Sequence, residues 1–145
     1  MTAGIFPLTS EQLQTYIQYF LDIDANIAGE PWTVHNFKYD LPGKWDFSFF
    51  SVSDNGEISG VLIASRKIAS IHIHRLAVAK HFQNRGIGKH LIEAIIRKTI
   101  AEKLNRVTLK VSKKNVSVIL FYKKLGFRVY ADELDNHCME IKLPH

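Results

Sequence analysis

The segment Gln83-Asn84-Arg85-Gly86-Ile87-Gly88 carries the residue types of a phosphate-binding turn. It follows an apolar, strand-like run, Ser70–Val78, and it opens a long amphipathic helix. Two glycines one residue apart let the backbone turn tightly, so that several N–H groups point outward at the helix N-terminus. Such a terminus carries roughly half a positive charge and binds phosphate through its unpaired donors. With Arg85 beside the turn and Lys89 in the first helical turn, the segment predicts a diphosphate cradle.

Two other phosphate-binding turns are excluded by the residues around these glycines. A P-loop has a glycine five residues before its Gly-Lys pair and a Ser or Thr after it, where this chain has Gln83 and His90. The dinucleotide-binding fingerprint has a third glycine where this chain has Leu91. The pattern that remains is Gln-x-x-Gly-x-Gly.

A second pattern, Asn115-x6-Tyr122-x3-Gly126-Phe127, lies near the C-terminus. The residues that share one face of the surrounding helical segment are apolar or aromatic: Val118, Phe121, Tyr122 and Leu125. The ring of Tyr122 is therefore expected to point inward, and a buried tyrosine hydroxyl needs a hydrogen-bond partner. A backbone carbonyl or a reacting group would serve.

Together the two patterns resemble those of the GNAT superfamily of acyl-CoA-dependent N-acetyltransferases, over residues 70–130. The resemblance implies acetyl-CoA as cosubstrate, a primary amine of a small molecule or of a peptide N-terminus as acceptor, and direct attack of the amine on the thioester. It implies a mixed α/β fold, with a central twisted sheet of about six to seven strands and about four helices. A CoA-binding module without catalysis is the alternative that the sequence leaves open.

The resemblance also assigns roles to individual residues. The residues of the turn, Gln83, Asn84, Arg85, Gly86, Ile87, Gly88 and Lys89, would hold the diphosphate of CoA. The backbone of Leu76, Ala77 and Val78 would pair with the pantetheine amides, and Asn115 would contact the pantetheine arm. Backbone N–H groups near Val78 would stabilise the developing oxyanion. Tyr122 would act as the general acid that protonates the departing thiolate.

Acetyl transfer to an amine also needs a base, because an ammonium group has no lone pair. Many members of the superfamily carry a glutamate on the strand before the phosphate turn, and alignment on the glycines puts His72 there. An imidazole with its ordinary pKa near 6.5 can accept a proton at physiological pH. Lys110, outward on the neighbouring strand, is expected to disfavour the imidazolium of His72. His74 or a water molecule is the alternative base.

Metal and covalent chemistry are not predicted. His72 and His74 face the same way, but no third ligand has suitable spacing, and Cys138 with His137 is too weak a candidate. Cys138 has no evident base partner, so no covalent acyl-enzyme is expected.

The chain of 145 residues has a net charge of +5 and 46% hydrophobic residues, and we predict one domain spanning residues 1–145. With one cysteine, no signal-like start and no long apolar run, it is expected in the cytoplasm, away from membranes. Many superfamily members form homodimers, but nothing in the sequence determines the oligomeric state.

The charge is unevenly distributed along the chain. Residues 1–60 hold eight acidic and two basic residues, whereas residues 61–145 hold seventeen basic and six acidic residues. A basic half suits the phosphates of CoA, and an acidic half suits a cationic amine. Nucleic-acid binding is not predicted, because aromatic residues are sparse in the basic half and no known module fits.

The elements that must position these residues follow from pattern and turn signals. Asp54-Asn55-Gly56 predicts a hairpin between two strands, and the segments Ser70–Val78 and Arg106–Ser112 predict parallel strands joined by a helix. The other predicted helices begin at Thr9, cover Thr33–Tyr39, and run from Val116 to Leu125 with Asn115 as cap and Gly126 as stop. The long helix is predicted over Gly86–Leu104, and the remaining strands over Phe47–Ser53, Glu57–Ser65, Phe127–Ala131 and His137–Leu143.

Overall fold

The computed structural model describes residues 3–27 and 29–144. Over these residues it contains a seven-stranded sheet and five α-helices. The strands are β1 Gly4–Pro7, β2 Phe49–Val52, β3 Ile58–Arg66, β4 Ser70–Val78, β5 Arg106–Ser112, β6 Arg128–Glu133 and β7 Asn136–Lys142. The helices are α1 Ser10–Asp24, α2 Val34–Lys38, α3 Lys44–Phe47, α4 Ile87–Ala101 and α5 Val116–Lys124, with a 3₁₀ turn at Lys80–Phe82.

The strands lie in the order β1-β2-β3-β4-β5-β7-β6, and β4 and β5 are the parallel pair. The predicted mixed sheet, the hairpin between β2 and β3, and the crossover from β4 through α4 to β5 are confirmed. The bounds of β4 and β5 agree with the prediction, since alternating apolar residues mark both strands. Thr9 begins α1 through a capping box with Gln12.

Three short features differ from the sequence prediction. Strand β1 has four residues, too few for an alternating pattern to reveal it. Helix α3 occupies one turn and takes Phe47 out of the predicted strand, because Gly43 adopts a left-handed φ of 70° that starts the turn. Helix α4 ends at Ala101, before Leu104, because Lys103 adopts a left-handed φ of 59°.

Each face of the sheet is covered by different helices. On one face, helices α4 and α5 bury apolar residues of β3, β4 and β5, among them Ile71, Ile73 and Leu109. On the other face, α1 and α2 bury a second cluster around Phe20, Phe37 and other residues. We call the side of α4 and α5 the cofactor face and the side of α1 and α2 the acceptor face, after the roles that the family resemblance implies for them.

The central strands β4 and β5 separate along their length. Their pairing runs from Ser70 and Arg106 to Ile73 and Leu109, and both strands continue beyond that point without pairing to each other. Strand β4 also contains a bulge at His74, because Ala64 of β3 pairs with Ile73 whereas Ile63 pairs with Arg75. A bulge bends a strand and redirects its side chains. The resulting split connects the cofactor face with the acceptor face.

Candidate active site

A cleft of about 1120 Å³ opens at the split between β4 and β5. Ten of the residues predicted to bind CoA or to act in catalysis line it: Leu76, Val78, Gln83, Asn84, Gly86, Ile87, Gly88, Lys89, Asn115 and Tyr122. Three others do not line it: Ala77 is buried in the acceptor-face core, Arg85 lies over the ring of Phe82, and His72 lies behind His74. The fold thus brings segments far apart in sequence to one cavity.

The turn before α4 leaves its main-chain donors free. Asn84 and Gly86 both adopt left-handed conformations, with φ of 64° and 82°. The first bond of the helix is donated by the N–H of His90 to the carbonyl of Gly86. Among the described residues, no acceptor faces the main-chain N–H groups of residues 84 to 89. A row of free donors at a helix N-terminus is a binding surface for phosphate oxygens.

Gly88 allows the start of α4 to lie against α5. A Cβ atom at this position would stand 3.3 Å from the ring of Phe121 and 3.8 Å from Val78. Gln83 ties the turn to the end of β4, because its Nε2 donates to the carbonyl of Val78 at 3.2 Å. The turn is therefore positioned by side-chain packing and by one hydrogen bond.

Tyr122 points into the cleft from the cofactor face. Its ring packs between Phe121 and Phe127, with centroid distances of 5.1 and 5.4 Å, and the residue is 6% exposed. No described group hydrogen-bonds its hydroxyl. Burial raises the pKa of the Tyr122 hydroxyl above its ordinary value, so the group keeps its proton at neutral pH. It is a proton donor directed at the cavity.

Asn115 stands at the first position of α5 but does not cap it. Its side chain makes no capping hydrogen bond to the helix, and its Oδ1 contacts only the hydroxyl of Ser117 at 3.5 Å. The prediction that Asn115 caps α5 is wrong in this respect, because its ψ of 69° departs from the extended conformation of capping residues. The predicted stop at Gly126 is confirmed, with φ of 103°.

Replacing Asn115 with alanine should therefore weaken cofactor binding more than it weakens the fold. We expect the free energy of unfolding to change by less than about 0.5 kcal/mol, because no capping bond is lost. Thr9→Ala is the matched control and should cost about 1 kcal/mol, since Thr9 accepts a hydrogen bond from the N–H of Gln12. Urea unfolding and acetyl-CoA titration measure the two effects. An equal loss of stability in both variants would contradict the assignment of Asn115.

The two histidines of β4 lie side by side on the acceptor face. Their ring centroids are 4.9 Å apart. His72 Nδ1 shares a hydrogen bond of 2.8 Å with the hydroxyl of Thr108, and His74 Nε2 shares one of 2.6 Å with the hydroxyl of Ser65. Thr108 lies on β5 and is itself buried. Both rings are therefore held in place by a hydroxyl on a neighbouring strand.

Burial lowers the pKa of both imidazoles. For His72 the nearby charges of Lys67 and Lys110 act in the same direction, as expected for Lys110 from the sequence. For His74 burial, His72, Lys67 and Lys44 together lower the pKa to about 4. Both rings are neutral at physiological pH, and His74 lines the cleft.

Asp24 and Arg75 form an ion pair that sequence reasoning missed. Arg75 Nε and Nη2 donate to the two carboxylate oxygens of Asp24 at 2.6 and 3.0 Å, and Asp24 is fully buried. The same carboxylate accepts the N–H of Trp32 at 2.6 Å, and Arg75 donates to the carbonyl of Glu30 at 3.1 Å. The pair holds the segment after α1 beside the cleft. No local pattern reveals it, because its two members lie on different elements, 51 positions apart.

In the described part of the chain, no helix has the length and apolar character that a membrane span requires. Within residues 3–27 and 29–144, no group of three or more His, Cys, Asp or Glu side chains is arranged to hold a metal ion.

Comparisons with known proteins identify the family and the fold. The family model described as "Acetyltransferase (GNAT) family" matches residues 15–127. The 5-NmdU N-acetyltransferase of Pseudomonas phage PaMx11 is 35% identical over 81 residues, which are 54% of this chain and 56% of the relative. A probable spermine N(1)-acetyltransferase of Bacillus subtilis subsp. natto is 32% identical over 71 residues, 48% of this chain and 45% of the relative.

The chain therefore spans about half the length of these curated relatives. Among solved structures, Ard1 from Thermoplasma volcanium superposes with a TM-score of 0.84 at 21% identity, and the match covers 100% of both chains. At that identity the likeness concerns the fold.

Proposed function

Because the chain belongs to the GNAT acetyltransferase family, we propose that it is an enzyme that transfers an acetyl group from acetyl-CoA to a primary amine. One observation carries the proposal. A single cleft brings together free main-chain donors, an unpaired edge of β4 and the unpartnered hydroxyl of Tyr122. The two ends of this cleft lie on opposite faces of the sheet, so a cofactor and an acceptor can approach each other through the split.

The cleft fits the chemistry of CoA. The donors of residues 84–89, with the cations of Arg85 and Lys89, suit a diphosphate. The edge of β4 from His74 to Val78 has no strand beside it on the β5 side, so its main-chain groups there can pair with the amides of the pantetheine arm. Asn115 offers an uncommitted amide on the opposite wall. The cofactor supplies the activated acetyl thioester.

On the acceptor face, we propose that His74 receives a proton from the attacking amine. It lines the cleft, and its neutral form predominates at physiological pH. If the Nε2–H of His74 donates to Ser65, the Nδ1 of His74 is left as the accepting nitrogen. His72, the base expected from the sequence, stays a prediction, with its ring packed against His74.

In the same proposal, Tyr122 donates a proton from the cofactor face. Its hydroxyl keeps the proton at neutral pH and is not held by another residue. In this proposal the base and the acid act from opposite sides of the sheet, one on the amine and the other on the thiolate sulfur. A chain that only binds CoA would not need both groups at the cleft.

Both relatives are named as N-acetyltransferases, one of 5-NmdU and the other of spermine, and these names support an amine as acceptor. We further propose a cytoplasmic location, because the chain has a single cysteine. Homodimer formation and the absence of nucleic-acid binding stay predictions.

Thermal unfolding with acetyl-CoA, followed by an amine panel scored by thiol release, tests the proposal. Acetyl-CoA at about 100 times its dissociation constant should stabilise the fold by roughly 2.7 kcal/mol. Lys89→Gln should weaken binding about threefold to tenfold, because it removes a cation beside the diphosphate.

Arg97→Gln is the matched control for Lys89→Gln. Arg97 is exposed on the same helix, two turns further from the cleft. The Arg97→Gln variant should therefore bind acetyl-CoA as tightly as the unmodified chain does. Binding without turnover on any amine would favour the non-catalytic alternative. No stabilisation by any acyl-CoA would refute the proposed function.

A further inference from the structure

The charges along the cleft restrict the kind of amine that it can accept. The described residues that line it include four cations and no carboxylate: Arg75, Lys89, Lys110 and Lys114 are the cations. Lys89 lies at the phosphate turn, and Lys114 follows β5 beside Asn115 on the wall assigned to the pantetheine arm. Arg75 and Lys110 remain near the acceptor face. A second ammonium group on the acceptor would find no carboxylate partner in this wall.

Arg75 is committed to the fold. Its two bonds to Asp24 are buried, and its exposed fraction is 16%. Breaking such a pair would leave a buried carboxylate unpaired, which is strongly unfavourable. Asp24 is in turn unavailable to a cationic substrate, although the acidic N-terminal half suggested such a role. Arg75 therefore organises the wall but does not recognise the acceptor.

Lys110 can exchange its ion-pair partner for an anionic group of a ligand. Its Nζ contacts Glu133 Oε2 at 2.8 Å, and the two side chains are 49% and 55% exposed. Glu133 lies at the end of β6, next to the turn into β7. An exposed ion pair of this kind contributes little to stability, so an anionic group of a ligand can replace the glutamate at low cost. The pKa of Lys110 is raised by its bond to Glu133, so the group stays charged at neutral pH.

The neighbourhood of the two histidines is also cationic. Besides burial, the charges of Lys67, Lys110 and Lys44 lower the pKa of one or both imidazoles. The groups near Lys110 itself are Glu133, Tyr130 and Cys138 on β6 and β7, and His72 on β4. Glu133 is the carboxylate among them. A polycationic acceptor would be repelled here, whereas an anionic one would be attracted.

We propose that the acceptor is a primary amine whose molecule also carries an anionic group, a carboxylate or a phosphate, and that Lys110 binds this group in place of Glu133. The proposal rests on the proposed function. It makes Lys110 a specificity-determining residue on the acceptor face, at the position next to the split. It also separates this chain from enzymes whose acceptors are polyamines.

Matched amines that differ in charge test the proposal in the thiol-release assay with the full chain. The pairs are 2-aminoethyl phosphate with ethanolamine, and β-alanine with β-alaninamide; spermidine is the cationic probe. We expect kcat/KM at least tenfold higher for the anionic member of one pair, and the pair that responds identifies phosphate or carboxylate. Lys110→Gln should reduce the ratio of kcat/KM between the anionic and the neutral member to less than about threefold, and added salt should reduce this ratio too.

Two variants sharpen the test. Glu133→Gln removes the competing carboxylate and should raise kcat/KM for the favoured anionic amine about twofold to fivefold. Lys113→Gln, an exposed lysine outside the cleft wall, is the control and should leave the ratio unchanged.

The outcomes separate the two hypotheses. Preference for spermidine, or equal rates within both pairs, overturns the inference while leaving acetyl transfer intact. An unchanged ratio in Lys110→Gln overturns the role of this residue. Absence of turnover on every amine refutes the proposed function and the inference with it.

Discussion

Replacing Tyr122 with phenylalanine should lower kcat for acetyl transfer about 100-fold and leave the fold intact. The departing thiolate loses its proton donor, because Tyr122 lines the cleft and its hydroxyl is the group that carries the proton. Since no described group bonds that hydroxyl, its removal should change the free energy of unfolding by less than about 0.5 kcal/mol. Steady-state kinetics with urea unfolding measures both quantities.

The KM for acetyl-CoA separates catalysis from binding in this variant. It should stay within about twofold, because the ring of Tyr122 and its packing against Phe121 and Phe127 are retained. Tyr19→Phe is the control, since Tyr19 is 59% exposed on α1 and should have no effect on kcat. A Tyr122→Phe enzyme with unchanged kcat would show that water or another group protonates the sulfur.

Replacing His74 with glutamine should also lower kcat by about 100-fold. The glutamine amide can keep the hydrogen bond to Ser65 that Nε2 of His74 makes, but it cannot accept a proton. The cleft wall should therefore keep its shape while the base is lost. His72→Asn is the matched variant, because its amide can keep the contact of Nδ1 with Thr108, and it should cost less than about tenfold.

The pH dependence of kcat gives a second readout. A base works in its neutral form, so activity is present above its pKa and is lost as the pH falls through it. Burial, with His72, Lys67 and Lys44, lowers the pKa of His74 to about 4. The unmodified enzyme should therefore show no loss of kcat from this group between pH 8 and about pH 5. A base with the ordinary pKa of histidine would lose half its activity near pH 6.5.

A larger loss of kcat in His72→Asn than in His74→Gln would instead identify His72, the residue expected from the sequence, as the base. In each variant the new amide keeps the hydrogen bond to the neighbouring hydroxyl, and one imidazole is removed. The variant with the larger loss of kcat therefore identifies the ring that receives the proton.

Local spacing was enough to predict much of the fold. The strands β4 and β5 were found with their bounds, because alternation of apolar residues depends only on neighbours in sequence. The glycine turn before α4 was also predicted from neighbouring residues, because Gly86 allows the left-handed backbone conformation that the turn needs. Helix α3 was missed, because one turn is too short to show a period.

The acceptor side was less predictable. The Asp24–Arg75 pair joins residues 51 positions apart. Lys110 on β5 meets Glu133 on β6 because both strands pair with β7, which lies between them in the sheet. Charge counts along the chain suggested acids available to a cationic amine, whereas the fold buries Asp24 against arginine. Pairing between distant strands therefore decided which charges remain exposed at the cleft.

The sequence by itself determined the order of the longer elements, the free donors at the start of α4 and the inward position of Tyr122, because each depends on residues within a few positions of one another. Only the tertiary structure decided that His74 rather than His72 lines the cleft. The physical reason is that His72 lies opposite Thr108 in the paired part of β4 and β5, whereas His74 lies at the bulge, beyond the last residue pair of the two strands.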